Sequence, residues 1–152
     1  MTRSVRNLRR WINWYPPLLG AGIRVIHASN DLREVDVEMT LRWWTRNYVG
    51  THYGGSLYSM TDPFFMLMLI ENLGRGYIVW DKAATIRFRK PGRGTVRAQF
   101  RLTAEKLEEL RARLVNEEKI EPTLNVDVVN DQGEVVAQVE KLLYIRRKDA
   151  DA

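Results

Sequence analysis

From Ser56 to Leu73 the chain is dominated by Leu, Met and Phe, has few β-branched residues, and stops at Gly74. A run of that length outlasts an ordinary strand, and its composition favours a helix. A helix that is apolar over most of its circumference has to be covered on most sides. What covers it must come from the rest of the chain, where the prevailing period is two.

Six strands are predicted there. Ile23–Ala28 and Glu34–Trp43 precede the helix, and Tyr77–Arg89, Thr95–Leu102, Thr123–Val129 and Val135–Ile145 follow it. In the second strand Val35, Val37, Met39, Leu41 and Trp43 alternate with Glu34, Asp36, Glu38, Thr40 and Arg42, which sets an apolar face against a polar one. One wet face implies an antiparallel sheet. The turns PGRG and NDQG separate the later strands. A second helix is predicted over Glu105–Asn116, with Leu107, Leu110 and Leu114 as its stripe and Glu109–Arg113 as an i,i+4 pair. At the start, SVRNLRRWINWY reads as a short helix capped by Ser4, with Val5, Leu8 and Ile12 on one face, ended by Pro16-Pro17. The fold class is therefore α+β, an antiparallel sheet wrapped around a central helix. Residues 1–20 are a helical lead-in and residues 21–148 a single domain.

Composition narrows the chemistry. The chain has 152 residues, 45% of them hydrophobic, which is enough for a core without staples. It has no Cys, so a thiol nucleophile, a disulfide scaffold and thiolate metal sites are excluded, and with only two His a histidine-built metal site is not expected. No run approaches the length of a membrane span, and no signal peptide is expected, so the chain reads as a soluble cytoplasmic domain. The net charge of +5 favours anionic partners without choosing among them.

The residues with chemical promise lie between Asn47 and Asp62. Gly54-Gly55 lets backbone amides approach a ligand closely and then open a helix, where free N–H groups suit a polarised carbonyl. Asp62 adds a carboxylate inside an apolar stretch, where burial pushes its affinity for a proton upward, as a general base requires. Each feature has an ordinary reading beside the functional one. Asp62-Pro63 is also how a helix begins, with Asp as N-cap. Most glycine pairs are turns, and His52 can be a hydrogen-bonding loop residue as well as a catalyst. Arg87, Arg89, Arg97 and Arg101 can form a solvated face pairing with Asp127 or Glu140, or a landing site for phosphates, for which Lys90 and Arg93 in the turn are better placed.

Asn47, Gly50, Thr51 and Gly54-Gly55, followed seven residues later by Asp62, resemble the motif of the hotdog-fold acyl-CoA thioesterases, including their phenylacetate-pathway and human mitochondrial-type members. The strand AATIRFRKPG resembles the one that follows the hotdog helix. THYGGSLYSMTDPF followed by VWDKAA is similar to a bacterial branch of that superfamily known only as a domain of unknown function. The resemblance implies a hotdog fold with an extra N-terminal helix and an extra helix between strands 4 and 5. It implies that Asp62 activates water or attacks the thioester, that Gly54 donates its amide to the thioester oxygen, and that Asn47 holds the water or the carbonyl. Asp81 falls where relatives place a Ser or Thr that supports the lytic water. Two carboxylates near one site repel, and Lys82 is the adjacent cation to compensate them. Gly55, Tyr53, His52, Lys82, Lys90 and Arg93 complete the implied binding set. The family's motif His falls on Tyr53, a phenol and hence a poor base at neutral pH; His52 stands one residue early.

The resemblance also places the helix carboxylate and the glycine loop on opposite protomers, so the expected assembly is a homodimer or a dimer of dimers, with residues 77–85 near the interface. Three function classes follow. The first is a thioesterase acting on acyl-CoA or an acyl-carrier-protein thioester, with coenzyme A present only as part of the substrate and no other cofactor. The second is a non-hydrolytic acyl-thioester binder with the same pocket. The third is docking to an anionic membrane through Arg9, Arg10, Trp11 and Trp14. No nucleic-acid-binding module is recognisable.

Overall fold

The computed structural model describes residues 10–148. Residues 10–14 are helical, and after Tyr15 the chain forms α1 (Pro16–Gly20), β1 (Ile23–Ala28) and β2 (Glu34–Thr40). The glycine motif opens α2 (Gly54–Ser59), followed by α3 (Phe64–Leu73). Then come β3 (Tyr77–Phe88), β4 (Thr95–Arg101), α4 (Ala104–Asn116), β5 (Lys119–Ile120), β6 (Thr123–Asn130) and β7 (Val135–Arg147). The strands form one antiparallel sheet in the order β1-β2-β4-β6-β7-β3, and β5 adds a short second pairing to β7. The α+β wrap expected from the alternating strands is what the chain adopts.

A row of side chains shows how the wrap works. Val25 lies opposite Val37, Val37 opposite Ala98, Ala98 opposite Val128, Val128 opposite Ala137, and Ala137 opposite Phe88. The four central members are fully buried. Two of them are alanines, which leaves a trough for the helix. Along α3, Phe64, Phe65, Met68 and Leu69 are buried, and the Phe100 ring lies 5.0 Å from those of both Phe64 and Phe65. These three rings pin the helix to the sheet.

Several local expectations are corrected. The apolar stretch is helical in two pieces broken over Met60–Pro63, because Pro63 cannot donate to the preceding turn. Strand β2 ends at Thr40, so Trp43 is not inward but 76% exposed. The first helical stretch ends at Trp14 ahead of Pro16-Pro17, as expected, and the prolines also start α1, where a proline in the first turn forgoes no hydrogen bond. Ser4, Val5, Leu8 and Arg9 lie outside the described residues, while Ile12 is buried. In α4, Thr103 caps the N-terminus through Lys106 N, and Arg113 pairs with Glu117 rather than Glu109. Arg101 pairs with Asp36, and Arg97 with Asp131 and Glu38, not with Asp127 or Glu140.

Strand β3 carries one irregularity that matters for the site. Asp81 lies opposite Leu143 and Ala83 opposite Leu142, so Lys82 is an extra residue that shifts the register. Before this bulge Val79 and Asp81 share the helix-facing side; after it Ala84, Ile86 and Phe88 do, opposite Lys141, Val139 and Ala137.

Truncating the ring that both helix phenylalanines rest on should leave a cavity that the sheet cannot close. Phe100→Ala is expected to cost about 3–5 kcal/mol, read as a lower urea midpoint with an unchanged slope.

Candidate active site

Two groups of residues stand out, and within one chain they are separate. The first is built on the loop before α2. Asn47 closes that loop on itself: its side-chain NH2 donates to Thr51 Oγ1 at 3.0 Å and to the His52 carbonyl at 3.3 Å, and its carbonyl accepts from Thr51 N at 3.0 Å. His52 is buried, its backbone N–H donating to Gly92 O and its Nε2–H to Gly94 O, at 2.9 and 3.0 Å. Its Nδ1 is buried without a partner. Burial holds the imidazole below its usual pKa, with the Gly94 carbonyl pulling the other way. A Cβ on Gly92 would sit 3.2 Å from both His52 Cδ2 and Val136 Cγ1, so a glycine lets the turn close over the ring.

The two glycines of the motif answer to aromatic neighbours. A Cβ on Gly54 would come within 3.0 Å of Phe88 Cζ, and one on Gly55 within 2.4 Å of Tyr53 Cε1. Their amides, in the first turn of α2, have no acceptor among the described residues. Asn47, His52, Gly54, Lys90 and Arg93 line a cleft of about 590 Å³ floored by Leu57 and Phe88. Lys90 pairs with Glu134, whereas Arg93 has no partner among the described residues. Tyr53 is exposed beside the cleft rather than in its lining.

The second group sits at the helix break. Asp62 caps nothing: α3 begins after Pro63 with no side-chain cap. Asp62 Oδ1 instead accepts from Tyr58 Oη at 2.9 Å and from Lys141 Nζ at 3.0 Å. Lys141 Nζ also lies 3.2 Å from Asp81 Oδ2 and 3.3 Å from Tyr58 Oη. Lys141 is fully buried, yet the Asp62 side chain is 50% exposed, so the premise of a buried base does not hold. Asp62 Oδ2 meets no protein donor among the described residues, and Asp81 Oδ1 is buried without a partner. Burial raises the Asp81 carboxyl, an effect that Lys141 opposes and Asp62 reinforces. Burial works against the Lys141 charge too, but the hydrogen bond it donates to Asp62 and the charges of Asp62 and Asp81 hold its pKa above the ordinary lysine value.

The cation that compensates the two carboxylates is thus Lys141. Lys82, on the other face of β3, pairs with Glu121 at 2.6 Å. Lys141 and Tyr58 escape a reading of the sequence alone, although the signal is present: Lys141 falls in phase with Val139, Leu143 and Ile145 on the inward side of β7. No cluster that could hold a metal ion occurs among the described residues, and no helix among them is long and apolar enough to cross a membrane.

A curled antiparallel sheet around a helix, with a glycine loop entering it and a carboxylate at its break, defines a hotdog fold. The chain belongs to the family described as Domain of unknown function (DUF4442), whose model matches residues 6–145. No functionally curated protein matches it. Among solved structures it is similar to PA5026 from Pseudomonas aeruginosa, a protein of unknown function and "Probable Thioesterase", with 24% identity, TM-score 0.81, and 94% of this chain and 95% of that one covered. It is also similar to the thioesterase HI1161 from Haemophilus influenzae, with 13% identity, TM-score 0.71 and 100% and 97% coverage. The PaaI protein from the phenylacetic acid degradation operon of E. coli aligns with 20% identity, TM-score 0.64 and 95% and 92% coverage. At these identities the likeness establishes the fold.

The buried neutral imidazole makes a testable contribution to stability. His52 is held below the ordinary imidazole value of 6.5 in the folded chain, so as acid is added the unfolded chain takes up that proton first. Its contribution is complete above that value and is lost as pH falls below it. His52→Gln should therefore flatten the acid dependence of the urea midpoint, measured from neutral pH downward.

Proposed function

We propose that the chain hydrolyses acyl thioesters of coenzyme A or of an acyl-carrier protein, with Asp62 as the carboxylate that activates water. The observation that carries this reading is the state of Asp62: one oxygen is engaged twice, by Tyr58 and Lys141, and the other is open on a half-exposed side chain. An ionised, oriented carboxylate with a free oxygen is what general-base attack of water requires. The names of PA5026 and HI1161 support the same reaction class.

The site needs two copies of the chain. Asp62 stands eight positions after Gly54, on the order of 12 Å at the helical rise per residue, more than one carboxylate spans. Strand β3 offers the means to bring two copies together. It pairs only with β7, is twelve residues long, and is exposed from Lys82 to Thr85, so its outer edge can pair with a second β3. In such a dimer Asp62 of one protomer faces the cleft of the other. Water placed between Asp62 Oδ2 and the thioester carbon gives its proton to the carboxylate as its oxygen attacks. The Gly54 and Gly55 amides take the developing oxyanion, and the sulfur leaves with the proton returned from Asp62, giving a carboxylic acid and a thiol. Arg93 and Lys90 at the cleft rim suit the phosphates of coenzyme A, Asn47 holds the loop that presents the amides, and Tyr53 and His52 shape it. No cofactor is needed beyond the coenzyme A carried by the substrate. A non-hydrolytic acyl-thioester binder is the second reading, favoured by Tyr53 standing where relatives carry His.

Asp62→Asn keeps the shape and removes the base. Turnover of acyl-CoA should fall about 10²-fold or more with binding retained. Hydrolysis at the wild-type rate would overturn the role of Asp62, and binding without hydrolysis by either protein would establish the binder. Sedimentation at micromolar concentration should give a dimer or a dimer of dimers. Proline at Ala84, in the exposed stretch of β3, should shift it toward monomer and abolish turnover; a monomer that remains active would overturn the shared site.

A further inference from the structure

We infer that Lys141 is a positioning residue of the hydrolytic site: it clamps Oδ1 of Asp62 so that Oδ2 is the oxygen that reacts, and it stands between that carboxylate and Asp81. The inference rests on the thioesterase reading and extends it to residues outside the motif.

Lys141 projects from β7 into the core with no access to water, and the described structure gives its ammonium three acceptors, Asp62 Oδ1, Asp81 Oδ2 and Tyr58 Oη. An ammonium has three N–H donors and no acceptor, so the set is matched in number. The Tyr58 hydroxyl gives its own proton to Asp62, which leaves its lone pairs for Lys141. Its ring also lies beneath the ammonium, 5.2 Å from Nζ to the centroid. The backbone neighbours of Lys141 across the sheet are Ala84 on β3 and Leu124 on β6, neither of which is charged. Asp62, Asp81 and Tyr58 are therefore the titratable groups that face it.

The clamp solves a problem created by Asp81. Two carboxylates facing the same buried point would force one to hold a proton. The ammonium between them offsets that repulsion, and the carboxylate on the helix break keeps an oxygen open. Fold stability does not require this arrangement, since a buried ion pair is often replaced by apolar residues without loss.

The test uses wild type, Lys141→Met and the double variant Lys141→Met with Asp81→Asn. The single variant strands two carboxylates and is expected to melt lower; the double variant removes the stranded buried charge and should recover the melting temperature. In the double variant kcat on a fatty acyl-CoA should remain at least about 10-fold reduced with KM little changed, and the acid limb of the pH–rate profile should move upward by about one unit or more. Carboxyl NMR of Asp62 should titrate upward in parallel. A folded double variant with wild-type kcat and an unmoved acid limb overturns the role of Lys141 and leaves the thioesterase reading intact. A wild type that hydrolyses no acyl-CoA overturns that reading, and this one with it.

Discussion

A lysine ammonium shut off from water has to be answered at each of its N–H bonds, and in this chain the answers come from both layers of the fold. Asp62 and Tyr58 reach it from the helix break, and Asp81 reaches it from the edge strand β3. The contact therefore ties together three segments that local structure alone would leave independent: the gap between α2 and α3, the middle of β7, and the bulged part of β3. Removing one partner from such a group strands a charge, at a cost of about 3–5 kcal/mol. The helix break and the edge strand are held in mutual register by that penalty more than by any attraction the group supplies.

The loop half of the site follows a different logic. Around Asn47 and His52 every contact is neutral, and almost every one is to the backbone. This neutral frame leads into the two glycine amides at the start of a six-residue helix. The aromatic rings of Phe88 and Tyr53 fill the space that a Cβ at Gly54 or Gly55 would need. One half of the site thus supplies directed dipoles and the other a directed charge. Keeping them apart in the chain prevents the carboxylate from taking the amides for itself.

Much of this was legible in the amino-acid order. Alternation located the strands, and in β2, β4 and β6 it also gave the buried face correctly, as Val37, Ala98 and Val128 show. The glycine loop and Asp62 were legible because their residue types are constrained by backbone approach and by charge. Lys141 was not, because a lysine within a strand is ordinarily assigned to the wet face, and only its phase with Val139 and Leu143 says otherwise. Trp43 misled for the opposite reason: it continues the alternation of β2 for three residues beyond the point where the backbone leaves the sheet. The partners of Arg97, Arg101 and Arg113 depend on side-chain reach across neighbouring strands and turns, which spacing alone does not encode.

The bulge at Lys82 acts as a phase switch. Upstream of it the odd-numbered residues of β3 face the helix, and downstream the even-numbered ones do, so that Asp81 and the pair Ile86 and Phe88 share a face that simple alternation would deny them. Side chains from Lys82 to Thr85 have room to vary, since all four are exposed. Chain length is not. Losing a single residue between Asp81 and Ala84 would restore even pairing and turn one end of the strand inside out, expelling either the carboxylate from the ammonium or the ring from the glycine loop. The strand can absorb substitutions at these exposed positions far better than a gap, and the position of one unremarkable lysine keeps count for both ends of the strand.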